Sequence, residues 1–187
     1  MVMEISTGEK GRLAALNRMT AALVTPIETL DHILELARIS IAPMVAISIV
    51  DRNAEIVLAA RGINYKRVER DRSVAALCID AGEPIAIEDV AADPSCANLE
   101  RSPSGTTMGS CLGVPLQTPD GYVIGTLLMM DNGPRRFGER EVTLASHLAH
   151  LVMSELASHQ PSEIDYLTGA LTRSSFRTEV DREYARA

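Results

Sequence analysis

Aromatic side chains are scarce in this sequence of 187 residues, which has no tryptophan, two phenylalanines and four tyrosines, although 46% of its residues are hydrophobic. Its apolar content is therefore mostly small and aliphatic. Large planar ligands commonly stack on aromatic faces in their binding sites. The composition thus argues against haem, bilins and purines, and it favours a small ligand or none.

Other absences narrow the class of protein further. The net charge of −7 argues against a nucleic-acid partner, because phosphate binding needs basic clusters. The sequence contains no run of about 18 apolar residues, the length that a membrane-spanning helix needs. The first six residues lack the basic and apolar regions of a secretory signal. We expect a cytoplasmic protein whose three cysteines, Cys78, Cys96 and Cys111, stay reduced.

Hydrophobic periodicity predicts two amphipathic helices at the start of the chain. The first begins near Ser6 and Thr7, whose hydroxyls suit a helix N-terminus. The second covers about residues 27–39. The first carries a stripe at spacings of three, four and three residues. The members of this stripe are Leu13, Leu16, Thr20 and Leu23.

The pattern then changes to short strands with helices between and after them. The turn at 118–121 joins the clearest hairpin, because Pro119, Asp120 and Gly121 are typical turn residues. Residues 61–72 are predicted as a loop and 89–107 as an irregular segment with one helical turn after Asp93. The predicted strands are 44–50, 55–60, 84–87, 110–116 and 122–130, and the predicted later helices are 74–80 and 139–158. This order predicts an α+β fold, in which an antiparallel sheet is flanked by helices.

The helix at 139–158 is apolar on two faces, one of which carries Leu144, Leu148 and Leu151. A helix that is apolar on two sides is expected to be covered on two sides. We therefore predict a homodimer through the terminal helices, formed by this face and the stripe of the first helix. The alternative is that both faces pack on the chain's own sheet.

Several short segments, in order along the chain, resemble a GAF domain over about residues 26–158. The segments are 42–51, 82–85, Asp89 with Asp93 and Pro94, 113–116, and most clearly 118–127. This resemblance implies a sensory module that binds a small molecule and dimerises. It also implies a GAF-like central antiparallel sheet flanked by helices, with long N- and C-terminal helices.

The same resemblance implies a ligand pocket between the sheet and the segment 71–110. Its candidate lining residues are Ser73, Val74, Cys96, Met108 and Ser110. The chain departs from cyclic-nucleotide-binding relatives, which carry a lysine where Gly133 follows Asn132. It also departs from bilin-binding relatives, since neither Cys78 nor Cys111 is followed by histidine.

Two other interpretations of the same residues stay open. One is a thiol-dependent reductase of the free methionine sulfoxide type, in which Cys96 and Cys111 would form the redox pair. The other is a ligand-free dimerisation spacer whose pocket its own side chains fill. A metal site at His147 and His150 lacks further ligands nearby in sequence, so we predict no metal.

A second resemblance lies near the end of the chain, where residues 165–176 look like the start of a GGDEF domain. The matching residues are Asp165, Leu167, Thr168, Gly169, Arg173 and Phe176, whereas Ala170, Leu171 and Thr172 depart from the usual pattern. GGDEF domains make cyclic di-GMP from two GTP molecules or act as degenerate GTP sensors. Their catalytic residues would lie beyond residue 187, so we predict no catalytic residue in this chain.

Together these observations predict three segments: an N-terminal helix (1–25), a GAF sensory domain (26–159), and a linker with the start of a GGDEF domain (160–187). The expected function is control of a C-terminal diguanylate cyclase by a dimeric sensory module. Its candidate effector is a small molecule of unknown identity, and the sequence requires no cofactor. Neither a nucleic acid nor a membrane is an expected partner.

Overall fold

Helices and antiparallel strands make up most of residues 7–20, 28–99 and 107–158, the parts of the chain that the computed structural model describes. The helices are α1 (Thr7–Thr20), α2 (Glu28–Ser40), α3 (Val74–Ala81) and α4 (Glu139–Ser158). The strands are β1 (Met44–Val50), β2 (Ala54–Arg61), β3 (Arg67–Glu69), β4 (Ile85–Ile87), β5 (Ser110–Gln117) and β6 (Val123–Asp131). Most boundaries lie within one or two residues of those predicted.

The six strands form one antiparallel sheet in the order β3-β2-β1-β6-β5-β4. Helices α1, α2 and α4 pack on one face of the sheet, and α3 packs on the other. This arrangement confirms the predicted α+β fold with an antiparallel sheet between helices. None of the helices in the described residues is long and apolar enough to cross a membrane.

The central strands β1 and β6 are buried on both faces of the sheet. Along β6, Leu127 and Met129 contact the helices α1, α2 and α4, while Leu128 and Met130 enter a second apolar cluster beneath α3. Successive side chains of a strand point to opposite faces. Because both faces of β6 are covered, residues 127–130 are all apolar and do not alternate with polar residues.

Gly125 allows β6 to approach β1 closely at the middle of the sheet. A Cβ atom at this position would collide with the backbone oxygen of Ser48 on β1. Glycine is the residue that permits such a close backbone approach. Within the segment 118–127, Gly125 is thus required by the close packing of β6 on β1.

The prediction of a loop over residues 61–72 was wrong in part. Residues 67–69 form β3 at the edge of the sheet, paired with β2 through Glu55 opposite Val68, and residues 70–72 form a 3-10 turn. Only Val68 is buried in β3, and its neighbours Arg67 and Glu69 are exposed. Three residues with one apolar side chain leave too short an alternation to indicate a strand.

A charged cluster fixes α1 against the end of β1. The guanidinium of Arg12 is almost fully buried and donates to the backbone oxygen of Val50 at 2.6 Å and to both carboxylate oxygens of Glu9. Arg70 of the 3-10 turn donates to the same carboxylate at 2.6 Å. These contacts, led by the hydrogen bond from Arg12, lower the pKa of Glu9 to about 2.

We expect Glu9→Gln to destabilise the fold by roughly 1–3 kcal/mol, because it removes charge-assisted hydrogen bonds to Arg12 and Arg70. Since the folded-state pKa is lowered, this stabilisation is present above pH 4.5 and is lost as the pH falls toward about 2. Urea unfolding at about pH 7 measures the change. The matched control is Glu35→Gln, which breaks an exposed pair with Arg38 and should leave the stability nearly unchanged, because solvent screens exposed ion pairs. Equal effects of the two variants would contradict a structural role for the cluster.

Candidate ligand-binding site

A small cavity of about 20 Å³ lies between the sheet and the N-terminus of α3. This volume has room for about one water-sized group. Most of its wall is apolar, and a carboxyl group, a phenol and a hydroxyl supply the buried polar groups. The lining residues are Glu55, Ile63, Tyr65, Val68, Arg72, Ser73, Val74, Met108, Leu128 and Met130.

The carboxyl group of Glu55 is the main polar feature of this cavity. Glu55 lies on β2 and is 1% exposed. The hydroxyl of Ser73 donates to Glu55 Oε2 at 2.5 Å, and the same Ser73 Oγ accepts from the backbone N–H of Ala76 as the N-cap of α3. One serine therefore joins the carboxyl group on the sheet to the start of the helix.

The second oxygen of the carboxyl group, Oε1, has no hydrogen-bond partner in the described part of the chain. The hydroxyl of Ser48, on the adjacent strand β1, is also buried and without such a partner there. An unsatisfied buried polar group costs about 1–3 kcal/mol. Glu55 thus brings unsatisfied hydrogen-bonding capacity to this cavity, whereas Ser48 is not one of its lining residues.

Burial controls the protonation of this site. Loss of water around the carboxyl group raises the pKa of Glu55, and the nearby hydroxyls of Ser73 and Ser48 offset part of that rise. Burial also raises the pKa of Tyr65, which keeps the phenol protonated. The cavity therefore favours the neutral form of Glu55 in the absence of a positive group beside it.

The predicted lining residues divide into two groups. Ser73, Val74 and Met108 line the cavity. Cys96 is fully buried in the apolar cluster that also contains Val74 and Met108, but it does not line the cavity. The Ser110 hydroxyl donates instead to the backbone oxygen of Gly133 at 2.8 Å. This bond ties the start of β5 to the segment after β6.

Sequence reasoning missed Glu55, Tyr65 and Arg72 as lining residues. A usable signal for Glu55 was present, because it is a single charged residue within the otherwise apolar segment 54–60. A carboxylate in a strand that packs against a core is unusual unless it is paired or functional. Tyr65 and Arg72 lie in the segment that was predicted as a loop, so nothing assigned their side chains to a face.

The cysteines are placed for packing. Cys78, Cys96 and Cys111 are all buried, and none of these three thiols forms a disulfide bond. Burial raises the pKa of the Cys78 thiol to about 11, and it also raises that of Cys111. A nucleophilic cysteine needs a lowered pKa and some exposure, so this environment opposes thiolate chemistry.

The histidines of α4 lie on its outer surface. His147 and His150 are both exposed. Among the described residues no group of three or more histidine, cysteine or acidic side chains is placed to hold a metal ion.

The residues predicted for a dimer interface occupy different environments. Leu16 and Leu148 lie in the chain's own core, 3% and 2% exposed, which leaves neither free for a partner. Leu13 and Leu144 are partly buried against the same core, whereas Leu151 is 54% exposed. The reason is that α1 and α4 pack directly on the sheet. The Thr20 side chain and Leu23 lie outside the described part of the chain.

The predicted GGDEF start also lies outside the described residues. Its members are Asp165, Leu167, Thr168, Gly169, Arg173 and Phe176.

Comparison with known proteins identifies relatives of this fold. A family model described as GAF domain matches residues 24–156. A cyclic di-GMP phosphodiesterase of Pseudomonas aeruginosa is 27% identical over 140 residues, which cover 74% of this chain and 24% of that protein. The chain thus spans about a quarter of the length of this relative.

Solved structures agree on the fold. The GAF domain of an Acinetobacter phosphoenolpyruvate-protein phosphotransferase has a TM-score of 0.62 at 18% identity, covering 86% of this chain and 99% of that one. A type II free methionine-R-sulfoxide reductase of Thermoplasma acidophilum has a TM-score of 0.59 at 13% identity, covering 76% and 97%. At such identities the likeness concerns the fold alone.

The raised pKa of Glu55 predicts a pH-dependent stability. Because the folded state holds this proton more tightly, the contribution of Glu55 to stability is greatest below pH 4.5 and is lost as the pH rises through the folded-state pKa. The decrease contributed by one group is at most about 1.4 kcal/mol per pH unit. We expect Glu55→Gln to remove this contribution, and urea unfolding from about pH 5 to about pH 8 measures it.

Glu69→Gln, at an exposed position on β3, is the control and should keep the slope of the wild-type chain. Identical slopes for the wild type and Glu55→Gln would show that Glu55 is not held protonated by the fold.

Proposed function

The chain belongs to the GAF domain family, and from this premise we propose that it is the sensory part of a protein of cyclic di-GMP signalling. In this proposal the conformational state of the sensory domain controls an output domain that follows α4. GAF domains are typically regulatory rather than catalytic, and the burial of Cys78 and Cys111, which raises the pKa of both thiols, fits that role. The reaction itself would belong to the output domain.

One observation carries the proposal. The helix α4 packs on the sheet and ends at Ser158, seven positions in sequence before Asp165, where the resemblance to a GGDEF domain begins. A change in the sheet or its helices would therefore reach that segment through a short connection. The Pseudomonas relative is a cyclic di-GMP phosphodiesterase, which supports the same signalling chemistry although not the same reaction. We favour a diguanylate cyclase as the output domain because of residues 165–176.

Dimerisation through α2 and α4 is the second part of the proposal. These helices pack against each other, and they carry the three large apolar side chains that are exposed in the described residues. These side chains are Leu36 at 48%, Ile39 at 70% and Leu151 at 54% exposed. A second copy of the chain would bury them. Paired α4 helices would then set the spacing of two output domains.

A ligand-free spacer is the alternative that a specific observation favours. The cavity of about 20 Å³ is already nearly filled by the side chains around it. In that case the dimer would form and transmit no signal from this cavity.

Leu151→Glu tests the proposal, because it places a charge on the exposed face of α4. Burying a leucine contributes about 1.5–3 kcal/mol, and about 1.4 kcal/mol is tenfold in an equilibrium constant. Sedimentation equilibrium should therefore show a dimer weakened at least about tenfold. The complete protein should also make less cyclic di-GMP from GTP.

Gln117→Glu is the matched control, since it adds the same charge at an exposed position on β5 away from this face. It should leave both the dimer and the activity unchanged. A wild-type chain that stays monomeric at tens of micromolar would overturn the dimer, and a complete protein with unaltered output in Leu151→Glu would overturn the control of the output domain.

A further inference from the structure

We infer that the cavity binds a small organic cation, a protonated amine of about ammonium to short alkylammonium size, through Glu55 Oε1. This inference rests on the proposed sensory function and names the class of ligand for its site. It starts from the two buried side-chain oxygens that lack a hydrogen-bond partner in the described residues, Glu55 Oε1 and Ser48 Oγ. Both lie in the central part of the fold, on adjacent strands.

The hydrogen bonds already made at this site determine what a ligand must supply. Ser73 donates to Oε2 and accepts from Ala76, so its only hydroxyl proton is already used. Oε1 accepts hydrogen bonds when the carboxyl group is ionised, and it can carry the O–H donor when the group is neutral. A ligand that satisfies the ionised carboxylate must therefore carry a donor.

A charged donor suits this position better than a neutral one. A hydrogen bond between an ammonium group and a carboxylate is roughly twice as strong as one between neutral groups. It also supplies the positive charge that an ionised, buried carboxylate needs. Arg72 lines the same cavity, but it is exposed, so water and salt screen its charge more than that of Glu55.

The size and lining of the cavity limit the rest of the ligand. Its volume of about 20 Å³ holds one ammonium-sized group. Six of its lining residues are aliphatic or thioether side chains. They are Ile63, Val68, Val74, Met108, Leu128 and Met130. Methionine is flexible and fills irregular gaps, so the inference requires Met108 and Met130 to move aside as a short alkyl chain enters, and it excludes a bulky or aromatic amine.

Binding has a definite proton balance. Burial favours the protonated form of Glu55 when no cation is present. An alkylammonium ion arrives with its own proton, and the carboxyl group loses its proton to solvent as the ion pair forms. One proton is therefore released for each amine bound, and no other bond is formed or broken.

The experiment uses the whole chain and propylammonium chloride as the probe. The Tm of the wild type should rise steadily with amine concentration, as for any ligand that binds only the folded state. Sodium chloride at equal ionic strength and 1-propanol at equal concentration should give little shift. Calorimetric titration in two buffers of different ionisation heat should show one proton released.

Glu55→Gln keeps the shape of the side chain and removes its ability to ionise. It should weaken the amine at least about tenfold and abolish the proton release, and its urea unfolding curve shows whether it is folded. Glu69→Gln, exposed on β3, should bind as the wild type does. Equal shifts with 1-propanol, equal binding by Glu55→Gln, or no shift at all would overturn the inference.

Failure here is distinguishable from failure of the proposed function. A chain that ignores amines but forms a dimer sensitive to Leu151→Glu would keep the signalling role and lose this ligand class. A chain that binds amines as a monomer would keep the ligand class and lose the dimer.

Discussion

The removal of the Glu55 carboxyl group from water is the constraint on which the arrangement around the cavity depends. An isolated buried carboxylate is too costly to keep, so the fold must supply donors or hold the group protonated. It does both in part, since Ser73 donates at 2.5 Å and burial raises the pKa. Because Ser73 also caps α3, the position of the helix and the state of the carboxyl group are linked through one hydroxyl.

The segment that carries this hydroxyl also reaches the first helix. Arg70 contacts Glu9 of α1, Arg72 lines the cavity, and Ser73 bonds Glu55. Three residues within the four-residue segment 70–73 thus touch the cavity, the sheet and the N-terminal helix. The opposite face of the sheet carries α4, which connects to residues 159–187. Because the sheet is covered on both faces, the cavity lies on one side of it and the helices α1, α2 and α4 lie on the other.

Sequence patterns predicted the fold well because its main elements have strong local signals. The hairpin of β5 and β6 has a turn whose residues suit it, and α4 has a clear helical period. By contrast, β3 is too short to show alternation, and Val68 alone marks it. Leu13 and Leu16 of the predicted stripe lie on the face of α1 that packs on the core, yet periodicity does not say what an apolar face contacts. Leu16 and Leu148 contact the chain's own core.

The site was also predictable only in part, because local patterns do not say which side chains meet in the folded sheet. Ser73, Val74 and Met108 lie where the family layout suggests, but Glu55 comes from a strand that pattern reasoning treats as ordinary packing. Its role depends on which strand lies opposite and on the distance to Ser73, and both are properties of the folded sheet. The scarcity of aromatic side chains is consistent with the small cavity that the structure shows.

The central claim is that Glu55 is held protonated until a cation reaches it, and infrared difference spectroscopy measures this most directly. At neutral pH the wild-type chain minus Glu55→Gln should show the C=O stretch of a protonated carboxylic acid. Adding propylammonium should replace that band with carboxylate bands. A carboxylate signal already present without the amine, or a protonated band that the amine leaves unchanged, would contradict the account.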